Sequence, residues 1–358
     1  GRPVRSVFIG GGTPSLVEPK YIDSLLEVCS KYFKMEPDAE ISMESNPGTL
    51  SLEKLKVYKA AGVNRLSIGL QAWQDRLLES LGRIHRRRQY VENMEAAFRA
   101  GFSNINTDLI FGLPGQTFDD WRETLEAVSS IGGTGANSGA AKTGELTHLS
   151  CYSLKIEEGT NFGDRLEAGE LIPADDELDR RMYHYTVEFL GREGYRHYEI
   201  SNFARPGYEC RHNLIYWKAE EYAGFGAGAH SYLDHRRFNN VQGIEEYIDA
   251  AAKMGAGGRG GLFIPGDRAK GALHESMEFI DDREAMSEHM ILGLRLIDGV
   301  SAAEFEARFG ASIRKIYGGK LENLVKQGLL AKEQDCGGRY RLTALGLDLA
   351  NRVFAEFI

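Results

Sequence analysis

From residue 4 to about residue 200, short apolar runs alternate with amphipathic stretches. Val4–Ile9 reads as a buried strand. Tyr21–Phe33 reads as a helix, because Ile22, Leu25, Leu26, Cys29 and Phe33 recur at helical spacing. Glu40–Glu44 is the next strand, followed by a helix near Ser51–Ala61 that Gly62 ends. Strands follow at Arg65–Leu70, Asn104–Phe111 and Leu146–Leu154, and Thr117 with Asp120 resembles a capping box opening a helix through Trp121 and Leu125. A weak repeat supports this reading: "AAGVNRLSIGL" at Ala60–Leu70 and "RAGFSNINTDLIFGL" at Arg99–Leu113 share a layout of helix end, Gly stop, short loop and strand. "GREGYRHYEIS" at Gly191–Ser201 repeats the helix–Gly–strand part. Helices delivered into strands through short loops predict an α/β fold with a parallel sheet, doubly wound or barrel-like.

The texture changes toward the C-terminus. Arg283–Ile297, Ser301–Phe309 and Ile313–Gln327 read as helices, and "GLLAKEQDCGGRYRLTALG" as strand, Gly-Gly turn, strand and a Thr-capped helix start, a winged-helix-like module. The small-residue stretches 132–144 and 255–266 read as flexible segments. The domains expected are therefore 1–240, a linker region over 241–282, and 283–358.

Composition narrows the classes. Across 358 residues, 42% are hydrophobic and 27% charged, with a formal net charge of −9, which suits a globular protein and disfavours a nucleic-acid binder. No apolar run approaches the ~20 residues that span a bilayer. The four cysteines, Cys29, Cys151, Cys210 and Cys336, form no Cys-x-x-Cys pair, so neither a zinc knuckle nor a disulfide framework is signalled. Since the chain opens on Gly1 and reaches a strand within a few residues, it is expected to be a fragment.

Several segments carry candidate chemistry. "FIGGGTPS" at Phe8–Ser15 sits between a strand and a helix; its glycines either make a tight turn or turn successive N–H groups toward an anion. It lacks the Walker and GxGxxG spacings, although an ordinary (β/α) barrel with a phosphate loop there is a competing class. Glu44 in "SMESNPG" and Gln71 after "RLSIGL" lie at strand ends, where a barrel places its active site; Glu44 could equally be solvated in a loop. Asp108 sits inside an apolar run, and a carboxylate is costly to bury there unless it is paired or bound. Arg83 in "LGRIHRRR" either faces the pocket or belongs to a solvated basic run, and the residues alone favour the latter.

Taken in order, "GGTP", "ESNP", "RLSIGLQ", "LGRIH" and "NINTDLIFGLPGQT" resemble the radical S-adenosylmethionine fold of the oxygen-independent coproporphyrinogen dehydrogenase family, over about residues 4–235. That resemblance implies a partial (β/α) barrel, here lacking its first strand, with a smaller C-terminal domain. It implies that Gly11, Gly12 and Thr13 meet the methionine part of S-adenosylmethionine. Glu44, Gln71 and Arg83 would line the cofactor and substrate side, Asp108 would bind the ribose hydroxyls, and Ile110 would pack near the adenine with Leu154 at a neighbouring strand end. The family's Cys-x3-Cys-x2-Cys motif, which holds a [4Fe–4S] cluster, is not matched by any cysteines here. The chain is therefore expected neither to assemble the cluster nor to perform the radical step, and the cluster is expected in a full-length protein only.

A second block, Tyr195–Asn240, selects a branch. His212, Asn213, Tyr216 and Trp217 resemble the His-Asn-x-x-Tyr-Trp motif of the HemW heme chaperones. An imidazole can ligate heme iron and adjacent aromatics can pack on a porphyrin. Cys210 is an alternative ligand and His230 an alternative pocket residue; the aromatics could equally be core. The branch implies heme and heme-receiving proteins as partners, no nucleic acid, and at most peripheral membrane contact. The location implied is the cytoplasm, or a mitochondrion or plastid in a eukaryote. The alternative function is coproporphyrinogen III dehydrogenation.

Overall fold

The structure, a computed structural model, describes residues 2–131, 144–256, 273–333 and 338–358. Most of both glycine-rich stretches lies outside these, as do Cys336 and the first glycine of the Gly-Gly turn. The chain divides into two compact units, Gly1–His212 and Asn213–Ile358.

The first unit is built on a seven-stranded sheet curled into a half-barrel: β1 (Pro3–Ile9), β2 (Lys34–Ser45), β3 (Arg65–Gln71), β4 (Ile105–Phe111), β5 (His148–Ser153), β6 (Arg196–Glu199) and β7 (Asn202–Ala204). β1 to β5 are parallel in chain order. β7 then inserts antiparallel between β5 and β6, so the third repeat unit reaches the sheet through a hairpin. The helices are α1 (Pro19–Tyr32), α2 (Leu52–Ala60), α3 (Asp75–Ser80), α4 (Arg87–Arg99), α5 (Phe118–Ser129), α6 (Asn161–Glu167) and α7 (Asp176–Arg192). Thr117 caps α5 with Asp120 in the reciprocal arrangement the sequence suggested. β1 is half-exposed rather than buried, because it forms the sheet's edge.

Alternation along the strands separates two chemistries. One face carries Met43, Leu66, Ile68, Leu70, Ile105, Leu109, Phe111, Leu149 and Cys151, packed with Leu55, Tyr58, Tyr90, Met94, Trp121 and Leu125 from the helices. The single polar side chain there on β4, Thr107, is satisfied by Tyr90 Oη at 2.8 Å. The opposite, inner face carries Ser6 and Phe8, then Glu40, Ser42 and Glu44, then Arg65 and Ser67, then Asn106 and Asp108, then His148 and Ser150. The inside of the half-barrel is thus a polar surface.

Helix α8 (Arg211–Trp217) contains the boundary between the units. The second unit holds an antiparallel sheet of β8 (His230–Leu233), β9 (Arg236–Asn240) and β10 (His274–Phe279), and helices α9 (Ile244–Ala256) and α10 (Asp282–Gly293). The 241–282 stretch, read as a linker, therefore carries a helix and a strand. β11 (Val300–Ser301), α11 (Ala302–Phe309), α12 (Ile313–Lys326), β12 (Leu330–Glu333), β13 (Arg339–Leu342), α13 (Ala344–Asp348) and α14 (Ala350–Ala355) complete it. β12 and β13 pair antiparallel, and Thr343 caps α13. No helix among the described residues is long and apolar enough to cross a membrane.

Candidate functional site

The carboxyl ends of β1 to β5 gather most of the candidate residues. After β1 the chain turns through Gly11 and Gly12 at φ +85° and +59°, the left-handed region open to glycine. Among the described residues nothing beyond the chain neighbours lies within 4 Å of where a Cβ would stand on either residue, so this backbone faces open space. Gly11 N–H donates to Glu44 Oε2 at 3.1 Å. Gly10 differs: a Cβ there would meet the Phe8 ring at 2.6 Å and the Glu44 carboxylate at 3.0 Å, so the loop and Glu44 fit only with glycine. Thr13 accepts from Asn46 Nδ2 at 2.9 Å, tying the loop to the turn after β2.

Burial pushes the Glu44 carboxyl above its ordinary value; the Gly11 N–H pulls it back and the charge of Asp108 pushes it up again. Asp108 accepts from Ser67 Oγ at 2.9 Å and from Asn106 Nδ2 at 2.9 Å. Its desolvation is thus offset from inside the sheet by two donors that the sequence reading did not single out. Arg83 follows α3 and is half-buried: burial lowers its pKa while the charge of Asp108 raises it.

Gln71 ends β3 at φ +73°, an unusual backbone for a residue with a Cβ, beside a bulge in the β3–β4 pairing. A Cβ on Gly69 would stand 2.8 Å from Gln71 Nε2 and 3.1 Å from Asn46 Oδ1, so glycine lets that amide fold back toward Asn46. Ile110 and Leu154 pack on a small cluster of Ala72, Leu77, Leu78 and Leu113, an apolar shelf beside the polar groups. A ligand with an amino-acid end, a diol and a flat apolar ring system fits this set: open backbone and a carboxylate, a second carboxylate, and the shelf. S-adenosylmethionine has those parts.

Among the described residues no group of three or more His, Cys, Asp or Glu is arranged to hold a metal ion. Cys29, Cys151 and Cys210 lie on α1, on β5 and just before α8, and do not converge as a thiolate set. These residues do not fit an iron–sulfur cluster.

The second cluster lies deeper on the inner face. Glu40, buried, accepts from Ser42 Oγ at 3.2 Å, Cys210 Sγ at 3.5 Å, Arg211 N at 2.9 Å and His212 N at 3.2 Å. One carboxylate thereby receives the start of α8. His212 stacks on Phe8, with ring centroids 4.8 Å apart, and its Nδ1 lies 3.1 Å from Ser6 Oγ. Burial lowers its pKa to about 4; Glu40 opposes and Arg65 assists. Arg65 is 2% exposed, and its Nε has no hydrogen-bond partner among the described residues. Burial works against this cation, yet Cys210, Glu40, Tyr198 and Asp108 hold its pKa above the ordinary guanidinium value. In the second unit, Tyr216 packs against Tyr222 at 4.5 Å and Trp217 lies under Arg295 at 4.3 Å. Asn213 is half-buried, and His230 is exposed at the start of β8.

Comparison with known proteins decides the family. The Radical SAM superfamily model matches residues 1–128, and the HemN C-terminal domain model matches residues 280–349. The "Heme chaperone HemW" of Lactococcus lactis is 35% identical over 355 residues, covering 99% of this chain and 85% of that protein. The chain belongs to the HemW family. The HemW of Bacillus subtilis is also 35% identical, over 360 residues and 86% of its length. "Radical S-adenosyl methionine domain-containing protein 1, mitochondrial" of Bos taurus is 33% identical, over 92% of this chain and 70% of that protein. In fold, this chain resembles the Escherichia coli coproporphyrinogen III oxidase HemN, with a TM-score of 0.77 at 21% identity over 99% of this chain and 78% of that one. S-adenosylmethionine and a [4Fe–4S] cluster are typical of the superfamily.

Proposed function

We propose that this chain is the S-adenosylmethionine- and heme-binding body of a heme chaperone that delivers heme to acceptor proteins. The observation that carries the first half is the mouth where the Gly11 N–H meets the Glu44 carboxylate beside the open backbone of Gly11 and Gly12, with the charge of Asp108 acting on both Glu44 and Arg83. In this reading Gly11, Gly12, Thr13 and Glu44 take the amino-acid end of the cofactor, and Asp108 takes the ribose hydroxyls. Ile110 and Leu154 shelve the adenine, while Arg83 and Gln71 close the polar side. Bound S-adenosylmethionine would supply one-electron cleavage chemistry only where an iron–sulfur cluster provides the electron, and the described cysteines do not form a site for one. The part these residues play is to bind, orient and screen it from water.

The heme half rests on family membership and on the His-Asn-x-x-Tyr-Trp segment. His212 is neutral down to about pH 4, and a neutral imidazole is the form that ligates iron. Ser6 at Nδ1 and the Phe8 ring orient it as partners of a metal-ligating histidine do. Tyr216 and Trp217 would add porphyrin-packing surface, with Cys210 the alternative ligand. The work is placed in the cytoplasm, or in an organelle for a eukaryotic chain.

The test is to titrate heme into the protein and follow the Soret band, then present the complex to a heme-free acceptor. A band that changes in His212→Ala or Cys210→Ala, with transfer to the acceptor, is the expected result. Bands unchanged in both variants would remove both ligands. Formation of protoporphyrinogen from coproporphyrinogen by a cluster-loaded full-length protein would overturn the chaperone reading in favour of the dehydrogenase.

A further inference from the structure

Inside the half-barrel an unbroken line of hydrogen bonds, buried beyond its first link, leaves Asp108 and ends at the segment that opens α8, and its chemistry allows only one direction. Asp108, a carboxylate, can only accept, so Asn106 must present Nδ2 to it, at 2.9 Å, and to Ser67 Oγ, at 2.7 Å. The amide oxygen of Asn106 is thereby turned toward β5, where it accepts from Ser150 Oγ at 3.1 Å and faces His148 Nδ1 at 2.6 Å. His148 must then carry its proton on Nδ1, which leaves Nε2 to accept from Tyr198 Oη at 2.9 Å. Tyr198 Oη in turn accepts from Cys210 N–H at 3.4 Å. A doubly protonated ring would have to donate from both nitrogens and would stand close to the Arg65 cation; burial and Arg65 both hold the His148 pKa well below its usual value. Asn106, His148 and Tyr198 are all buried, so no bulk water competes for these contacts.

We propose that His148 and Tyr198 are positioning residues: through Asn106 they aim the Asp108 carboxylate at the mouth, and through the Cys210 amide they tie it to the start of α8. The proposal rests on the reading of Asp108 as the ribose-binding group, and neither residue touches the ligand. Removing the Tyr198 hydroxyl leaves His148 Nε2 without its donor and the Cys210 N–H without its acceptor. The imidazole can then rotate or change tautomer, and the Asn106 amide oxygen keeps Ser150 but loses its short contact with His148 Nδ1.

Two measurements on the whole chain separate the relay from the ribose reading. In the ligand-free protein labelled with 15N-histidine, long-range proton–nitrogen correlation should show His148 as the neutral Nδ1–H tautomer, unchanged from pH 5 to 8. An Nε2–H ring, or one that titrates in that range, overturns the relay whatever the ligand. In the second, adenosine and 2′-deoxyadenosine compete for wild type and Tyr198→Phe. Wild type should prefer adenosine, and the variant should lose about fivefold of that preference, the worth of one hydrogen bond. Equal weakening of both nucleosides in the variant would mean that Tyr198 only stabilises the fold, and it overturns the proposal. A wild type with no preference overturns the ribose reading, and with it the positioning role, while the nitrogen signals still report the relay.

Discussion

Two histidines of the first unit, His197 and His212, have their pKa values lowered to about 4, both mainly by burial, against an ordinary 6.5. His197 stacks on Phe203 at 4.5 Å and His212 on Phe8 at 4.8 Å. Between pH 6.5 and 4 the unfolded chain takes up protons that the folded chain refuses, so stability falls as pH falls through that window. For one such imidazole the loss from pH 7.5 to 5 is about 2 kcal/mol, and for the two together about 4 kcal/mol, a large part of the 5–15 kcal/mol that ordinarily holds a domain. His148, shifted in the same direction, adds to the loss. Urea unfolding at pH 7.5 and at pH 5, followed by tryptophan fluorescence, should show that drop as a lower midpoint. In His197→Phe, which keeps a ring against Phe203 but cannot titrate, the acid-induced loss should shrink by about 2 kcal/mol. Equal midpoints at the two pH values, or a variant as acid-sensitive as wild type, would refute the assignment of these rings as buried and neutral.

Gln71→Gly should relieve the left-handed backbone at φ +73°, raising stability by about 1 kcal/mol in thermal unfolding, while adenosine binding measured by calorimetry weakens because the amide is gone. Gly10→Ala should cost about 1–3 kcal/mol in denaturant unfolding, since its Cβ would meet Phe8 and Glu44, and it should weaken cofactor binding by displacing that carboxylate. Because the Glu44 pKa is raised, its ionised form is lost above the ordinary carboxylate range. Affinity for cationic S-adenosylmethionine should therefore fall as the solution is acidified through that raised value, and equilibrium dialysis on Glu44→Gln should give a flatter profile.

The strands and the loops that feed them were legible because apolar runs ended at Gly62 and Gly101 and capping signals stood at Thr117 and Thr343. Asp108 stood out as a carboxylate in an apolar run. Its support from Ser67 and Asn106 did not, although the signal existed: polar side chains at every second position of "RLSIG", "NINTD" and "EISME" mark one polar face of a sheet. Glu40 and Arg65 were missed for the same reason, since each looks like a strand-end charge until neighbouring strands bring them together. The β8–β9 hairpin was hidden by its turn, where Asp234 and His235 adopt φ +48° and +59° without the Asn-Gly pair that usually announces such a turn. The left-handed Gln71 has no local signature.

The sheet's division into a helix-facing apolar side and an inner polar side has a consequence for how this protein can vary. Along β2 to β5, substitutions at one parity of position disturb packing and should lower cellular abundance. Those at the other parity alter hydrogen-bonded groups that a well-packed apolar residue could often replace without unfolding the chain, at the expense of ligand recognition. A saturation mutagenesis screen scored separately for protein level and for ligand binding should then resolve into two combs of sensitive sites, interleaved and offset by a single residue.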